Sequence, residues 1–400
     1  MAAPSLRGTT ILFVANEAYF FYSHRLPVAR AAIAEGAHVH LAAPTDHVWA
    51  PASFDIAVLE REGIRFHPLP VSRRGRNPFE ELATLLAMAR LFRAIKPDLL
   101  HLLTIKPILY GGALARWLAV PAVVMAFTGL GHVFAGRERS LALIRPFVLA
   151  LLRIGLGHPK LRAIFQNRGD FETIVGATGF PRRMATVIPG AGVELDRFRP
   201  RPATPGVPLA ILAARLIWDK GIAEFVEAAR IARQRGAEVR FVLVGDTHPS
   251  NPRAVPEAQL RAWAAEGTVE WWGRRDDMDE VLAAAAIVCL PSTYGEGVPK
   301  VLLEAAASGR AVVATDIAGC REAVVDGETG ILVPVNDASA LAQAIGELLP
   351  APDRRIAMGL RGRQRVEAEF DERDVASRTL AVYSDLLARQ GAGGPAETPK

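Results

Sequence analysis

The 400-residue chain has only two cysteines, Cys289 and Cys320, both in apolar or helix-edge surroundings with no paired framework. A disulfide scaffold is not what holds it together, and reduced thiols in a cytosolic setting are the expectation, although the sequence leaves a disulfide open. Long apolar runs are missing too. The most apolar stretch, Pro146 to Leu152, is bounded by Arg145 and Arg153, far short of the roughly 20 residues a bilayer-crossing helix needs. The N-terminus has no small-residue cleavage site of a secretory signal. No Gly-x-Gly-x-x-Gly follows the first strand-like run, Ile11 to Ala15, which argues against a dinucleotide dehydrogenase. No His/Cys/Asp cluster offers a metal site, and no cofactor is expected. Aromatic residues make up 7% of the chain and are not interleaved with basic ones, so nucleic acid is not an expected partner.

What is present is apolar content and alternation. Half the residues are hydrophobic, enough for ample core, and the length implies two domains. The formal net charge of +5 hides a split: residues 1–200 hold 24 Lys and Arg against 14 Asp and Glu, the remainder 23 against 28. A basic first half points to an anionic partner, with anionic lipid or a phosphate-bearing substrate preferred.

Strand-like runs at 10–15, 38–43, 98–103 and 121–126 alternate with helical patterns at 26–35, 79–96 and 108–118. The second half repeats the theme, with strands at 207–214, 239–244, 268–272, 285–290, 311–315 and 330–333 between helices at 222–235, 256–266, 277–284, 299–308 and 338–349. Alternation of this kind means an α/β chain of two doubly wound, Rossmann-like domains with parallel sheets. The densest proline cluster, Arg199 to Gly206, sets the expected boundary, giving domains 1–199 and 207–370. A last helix over 371–389 is expected to pack back on the first domain, ahead of a disordered Gly/Pro tail at 390–400.

The most informative stretch runs from Pro291 to Glu304. It places a Ser/Thr/Gly loop after a buried strand, Pro299 in a first helical turn that tolerates its missing N–H, and two glutamates around that helix start. Backbone amides of Gly297 and Val298 would point out of the helix N-terminus as a site for an anion or a sugar hydroxyl. Ionised Glu296 and Glu304 can only accept hydrogen bonds, which suits them to ribose or hexose hydroxyls. Read alone, two glutamates eight apart are weak evidence. In context, EGVPKVLLE with its downstream ASGRAVVATDIAG resembles the Glu-x7-Glu signature of retaining glycosyltransferase family 4.

Arg215 ends a buried strand and Lys220 precedes a helix, both at the carboxyl ends of strands where open parallel sheets bind ligands. Taken alone they read as a strand-end arginine and a surface lysine; ARLIWDKG matches the family's pair on the donor diphosphate, and the resemblance reverses that reading. Gly245 lets backbone approach a ligand closely, and the segment with Gly273 and Arg274 looks like the family's base-holding one. The resemblance covers nearly the whole chain and implies the GT-B fold, an interdomain crevice, and a metal-independent retaining transfer. Arg215, Lys220 and Glu296 would form the catalytic set. Gly245, Gly273, Arg274, Gly297, Val298, Pro299 and Glu304 would hold the donor. Asp277 and Asp279 precede a helix and read as caps rather than metal ligands.

The first half is nearer to the family's surface-polysaccharide subgroup, through the loop FFYSHRLP and the stretch Thr128 to His132. Acceptor contacts are expected from His24, Arg25, Lys106, Thr128 and His132; capping or packing is the alternative for His24 and Arg25, and either Thr128 or His132 stands in for the usual family histidine. Arg137 to Arg162 reads as a buried helix or as a segment in the bilayer interface. The expected reaction moves a hexose or N-acetylhexosamine from a UDP-sugar to a polyprenyl-diphosphate-linked saccharide, in the cytoplasm or peripherally at the inner membrane face. Alternatives are a sugar-nucleotide epimerase of the same architecture and a non-catalytic sugar-binding protein.

Overall fold

The computed structural model describes residues 6–45, 54–71, 77–130, 139–202, 205–248, 251–294 and 297–391. The chain divides into one unit of Met1–Ile188 with Arg373–Lys400 and a second of Pro189–Glu372. The first holds a seven-stranded sheet of β1 (Thr10–Val14), β2 (His38–Ala43), β3 (Arg65–Pro68), β4 (Leu99–Leu103), β5 (Ala122–Phe127), β6 (Leu161–Phe165) and β7 (Ala185–Val187). Its order is β3-β2-β1-β4-β5-β6-β7, with parallel pairing throughout. Strand residues alternate between two helix layers, because successive side chains leave opposite faces of a sheet. Ile11 and Phe13 pack with the helices Ala18–Ala34 and Glu372–Gly391, the latter contributing the fully buried Tyr383. Leu12 and Val14 pack on the other side, with the helices Pro78–Ile95, Ile105–Trp117 and Arg139–Leu156.

The second unit repeats the plan with β8 (Leu209–Ala213), β9 (Arg240–Val244), β10 (Glu270–Trp271), β11 (Ile287–Leu290), β12 (Ala311–Thr315) and β13 (Gly330–Val333), ordered β10-β9-β8-β11-β12-β13. All these pairs are parallel. Each sheet therefore has one topological switch point, between β1 and β4 in the first and between β8 and β11 in the second. Cys289 and Cys320 are in no disulfide and are both buried, in core clusters on opposite faces of the second sheet.

Three expectations change. The boundary lies at 188/189 rather than in the proline cluster, because residues 189–198 belong to the second unit: the Val193 amide bonds the Phe370 carbonyl at 2.9 Å, and Phe198 is buried in the second core. Prolines mark an exposed segment, whereas contacts mark a domain. The first helix starts at Ala18 rather than residue 26 and carries Pro27 inside it, so His24 and Arg25 stand on a helix and not in a loop. The helix expected from Pro299 runs over Lys300–Ala307, with Pro299 at its N-cap in extended conformation. The tail from residue 392 onward, and Arg137, lie outside the described residues.

Candidate active site

In the second unit the site is built from loops leaving β8, β9 and β11. After Ala213 the chain passes Arg215, which is exposed, and makes a single 3₁₀ turn over Trp218–Lys220. Gly221 follows with φ of +72°, and a Cβ there would stand 2.0 Å from the Pro291 carbonyl oxygen. The two switch-point loops are thus pressed backbone to backbone, and only glycine fits. Between them sits Asp219, 2% exposed. Its carboxylate takes two hydrogen bonds from Arg253, and its carbonyl accepts from the Thr293 amide at 2.8 Å. The half-buried Lys220 is next in sequence, so this clamp sets the backbone that carries it.

Gly245 leaves β9 at φ +138°, where a Cβ would be 1.9 Å from the Ala214 carbonyl oxygen. Its amide donates to the Gly273 carbonyl at 2.8 Å and its own carbonyl accepts from the Trp271 indole at 2.9 Å. The two glycines expected on the donor side are therefore tied to one another. Gly273, at φ +66°, has open space where a Cβ would be, and Arg274 lies 3.5 Å from the Asp276 carboxylate.

After β11, Ser292 is fully buried and its carbonyl accepts from the Thr315 hydroxyl at 2.6 Å. Gly297, Val298 and Pro299 are buried and lead into the Lys300–Ala307 helix, whose N-terminus no side chain caps. The backbone amides of its first turn are left to point out of the helix. Glu304 sits one turn in, 3.7 Å from Lys300. Glu296 lies outside the described residues. Asp277 occupies an N-cap position, yet its side chain does not cap the helix: it pairs with Arg275, while Asp279 faces Arg197 at 3.2 Å. Asp277 is accordingly held below the usual carboxylate range, chiefly by the Arg275 hydrogen bonds. The capping expected of that side chain is replaced by an ion pair. No group of three metal-ligating side chains occurs among the described residues.

In the first unit Thr104 follows β4 at the switch point with φ of +70°, a strained conformation for a β-branched residue, and its buried hydroxyl has no partner. Lys106 follows on the next helix and pairs with Glu81 at 2.7 Å, which also accepts from the Tyr110 hydroxyl at 2.6 Å. Thr128 is half-buried just past β5, and His132 lies outside the described residues. His24 stacks on Phe20 at 4.6 Å, and its ring nitrogen meets the Ser23 hydroxyl at 2.7 Å. Arg25 departs from expectation: it is 4% exposed, turned into the core near His101 and Tyr383, and burial lowers its pKa to about 10. Its position is that of a packing residue rather than a surface contact. The Asp219–Arg253 clamp and the strain at Thr104 were not foreseen; the only hint in the sequence was an aspartate placed directly before Lys220.

Comparison with known proteins gives the family. Residues 207–350 fit the family described as "Glycosyl transferases group 1", and residues 10–159 that described as "Glycosyl transferase 4-like". A putative colanic acid biosynthesis glycosyltransferase, WcaL of Escherichia coli K12, is 32% identical over 66% of this chain and 70% of its own length. The chain belongs to the group 1, family-4-like glycosyltransferases. A second relative of these enzymes, the N,N'-diacetylbacillosaminyl-diphospho-undecaprenol alpha-1,3-N-acetylgalactosaminyltransferase of Campylobacter jejuni, is 26% identical over 94% of this chain and 98% of its own. Among solved structures, Anabaena Alr3699/HepE in complex with UDP superposes with a TM-score of 0.75 at 18% identity, covering 94% of this chain and all of that one. Sucrose-phosphate synthase of Thermosynechococcus elongatus gives 0.74 at 21%, over 95% and 100%. These likenesses show the fold, the GT-B architecture of two Rossmann-like domains.

Proposed function

We propose that this glycosyltransferase moves a hexosyl or N-acetylhexosaminyl group from a UDP-sugar, with retention and without a metal, to a polyprenyl-diphosphate-linked saccharide. Assembly of a surface polysaccharide or related glycan is the setting, at the cytoplasmic face of the membrane. The observation that carries the reading is the meeting at one switch point of two cations, Arg215 and Lys220, with an uncapped helix N-terminus after β11. Such a place suits a diphosphate leaving group. The lipid-linked acceptor is drawn from the Campylobacter relative, and UDP from the complex of the HepE neighbour.

In this reading the bond from the sugar C1 to the β-phosphate oxygen breaks, and its electron pair leaves on the diphosphate. Arg215 and Lys220 stabilise that charge, worth more as it grows. An acceptor hydroxyl forms the new C1–O bond on the same face, and its proton passes to the departing phosphate oxygen. The Gly297–Pro299 turn and Glu296 position the sugar, and Glu304 accepts from the ribose hydroxyls. In the first unit, His24, Lys106, Thr128 and His132 serve the acceptor. The test is UDP release by purified protein supplied with UDP-sugars, with and without a short-chain lipid-diphosphate saccharide. Acceptor-dependent release with an α-linked product from an α-linked donor is expected; release unaffected by every such acceptor would overturn the reading.

A further inference from the structure

Among the described residues ten large apolar side chains are exposed, and six of them lie on three neighbouring helices of one layer. Phe79, Leu82 and Leu86 are on Pro78–Ile95, Trp117 ends Ile105–Trp117, and Phe147 and Ile154 are on Arg139–Leu156. The middle helix packs against both of the others. Phe79 is 80% exposed, Phe147 77% and Trp117 76%. Scattered single apolar residues need no explanation, whereas a gathering on one layer does.

The spacing makes two stripes. Phe79, Leu82 and Leu86 follow the i, i+3, i+7 rule along one outward face, which continues into the exposed Arg90 and Arg93. On Arg139–Leu156 the inward face carries Leu152 and Leu156, yet the outward face is also apolar, with Phe147, Ala150 and Ile154 beside the exposed Arg153. A water-facing helix surface is ordinarily polar, whereas the described outward positions of this helix are largely apolar. Charge completes the picture: the three helices and their C-caps hold eight basic residues against two acidic, Glu80 and Glu81. Glu81 is already bonded to Lys106 and Tyr110. Apolar stripes flanked by arginine fit a bilayer interface carrying anionic headgroups.

We infer that this helix layer is the surface on which the protein docks to an anionic phospholipid bilayer. The inference rests on the lipid-linked-acceptor reading for its purpose, since such an acceptor is held in a membrane. Long Phe and Leu side chains enter the acyl boundary while arginine heads stay at the phosphates.

The experiment is vesicle co-sedimentation with phosphatidylcholine alone and with phosphatidylcholine–phosphatidylglycerol mixtures, at low and high salt. Wild-type protein is expected to pellet with the anionic vesicles and to be released by salt. A triple variant, Phe79→Glu, Leu86→Glu and Phe147→Glu, should bind them at least about tenfold more weakly, since it loses three apolar anchors and adds three repelled charges. Its melting temperature and its transfer to a water-soluble short-chain acceptor should match wild type. Three results overturn the inference: wild type staying in the supernatant with anionic vesicles, the variant pelleting as wild type does, or a concentration-dependent dimer in vesicle-free buffer that the variant abolishes, which assigns the surface to a second copy of the chain. Vesicle binding without transfer to any lipid-linked acceptor overturns the function and leaves the docking surface standing.

Discussion

Gly221 and Pro291 touch through their backbones, the position of a Cβ on Gly221 lying 2.0 Å from the Pro291 carbonyl oxygen. These residues belong to the two loops that diverge at the second sheet's switch point, one bearing Lys220 and the other leading to the helix with Glu304. The contact fixes the spacing between a cation-bearing loop and a helix N-terminus. In parallel sheets this is where a ligand finds room, because neighbouring crossovers leave on opposite faces.

Gly221→Ala is expected to destabilise the protein by about 2 to 4 kcal/mol, since it combines a left-handed φ with a clash against backbone that cannot rotate away. Urea unfolding monitored by circular dichroism measures this. Transfer should fall beyond what the unfolded fraction explains, because the loops must separate. An unchanged midpoint would mean that the loops tolerate separation.

If Arg215 and Lys220 act on the charge that develops when the diphosphate departs, as proposed, Arg215→Ala and Lys220→Ala should each lower kcat on the order of 10² or more with little change in melting temperature. Arg253→Ala acts differently. It leaves the buried Asp219 carboxylate without its partner, so stability should fall by about 1 to 3 kcal/mol, with an accompanying loss of kcat through Lys220. Steady-state kinetics beside thermal melts separates the two patterns; near-wild-type turnover in folded Arg215→Ala and Lys220→Ala would remove the diphosphate assignment.

The alternation of apolar strands and helices was plain in the sequence, and β2, β12 and β13 fall where the patterns place them. Period-two and helical signals survive because each element buries one face. Less legible was β6, whose run Leu161–Phe165 contains Arg162 paired to Asp385, 223 positions away. A charge satisfied by such a distant partner reads locally as a break in a strand. The first helix, expected from residue 26, begins eight residues earlier at Ala18 and carries Pro27 inside it. At the candidate site, the motifs stand out in the sequence by their order, whereas the Asp219–Arg253 clamp does not, since it depends on two loops meeting.

Transfer should persist in EDTA. Asp277 and Asp279, the carboxylates best spaced for a divalent ion, are turned toward Arg275 and Arg197, and displacing those guanidinium groups would cost the cation binding energy. Cationic side chains and helix amides can carry the leaving-group charge instead. An assay with chelator, then with added magnesium or manganese, decides it. Complete loss restored by either ion would return both aspartates to consideration as ligands.

Acid should weaken the first unit through its buried histidines. His40 on β2 meets His67 on β3 at 2.9 Å between ring nitrogens. Its pKa is pushed down from 6.5 to about 4, by burial first and then by His67, Arg65 and His38. His67 is lowered by burial and by Arg65. The groups turned toward His40 are all bases, so a second proton there finds no counter-charge. In the unfolded chain the same histidine takes up its proton near 6.5, so between about pH 6.5 and 4 the unfolded state binds more protons than the native one, and stability falls as pH falls. The contribution is fully present above pH 6.5 and lost on passing through about 4. Replacing the ring with a neutral hydrogen-bonding side chain, His40→Gln, removes one titrating group. Melting temperature measured from pH 7.5 down to 4.5 should therefore decline less steeply in the variant than in wild type. Parallel curves over that range would place the acid sensitivity elsewhere, with the buried His101, held well below 6.5 by burial and by Arg25, the next group to replace.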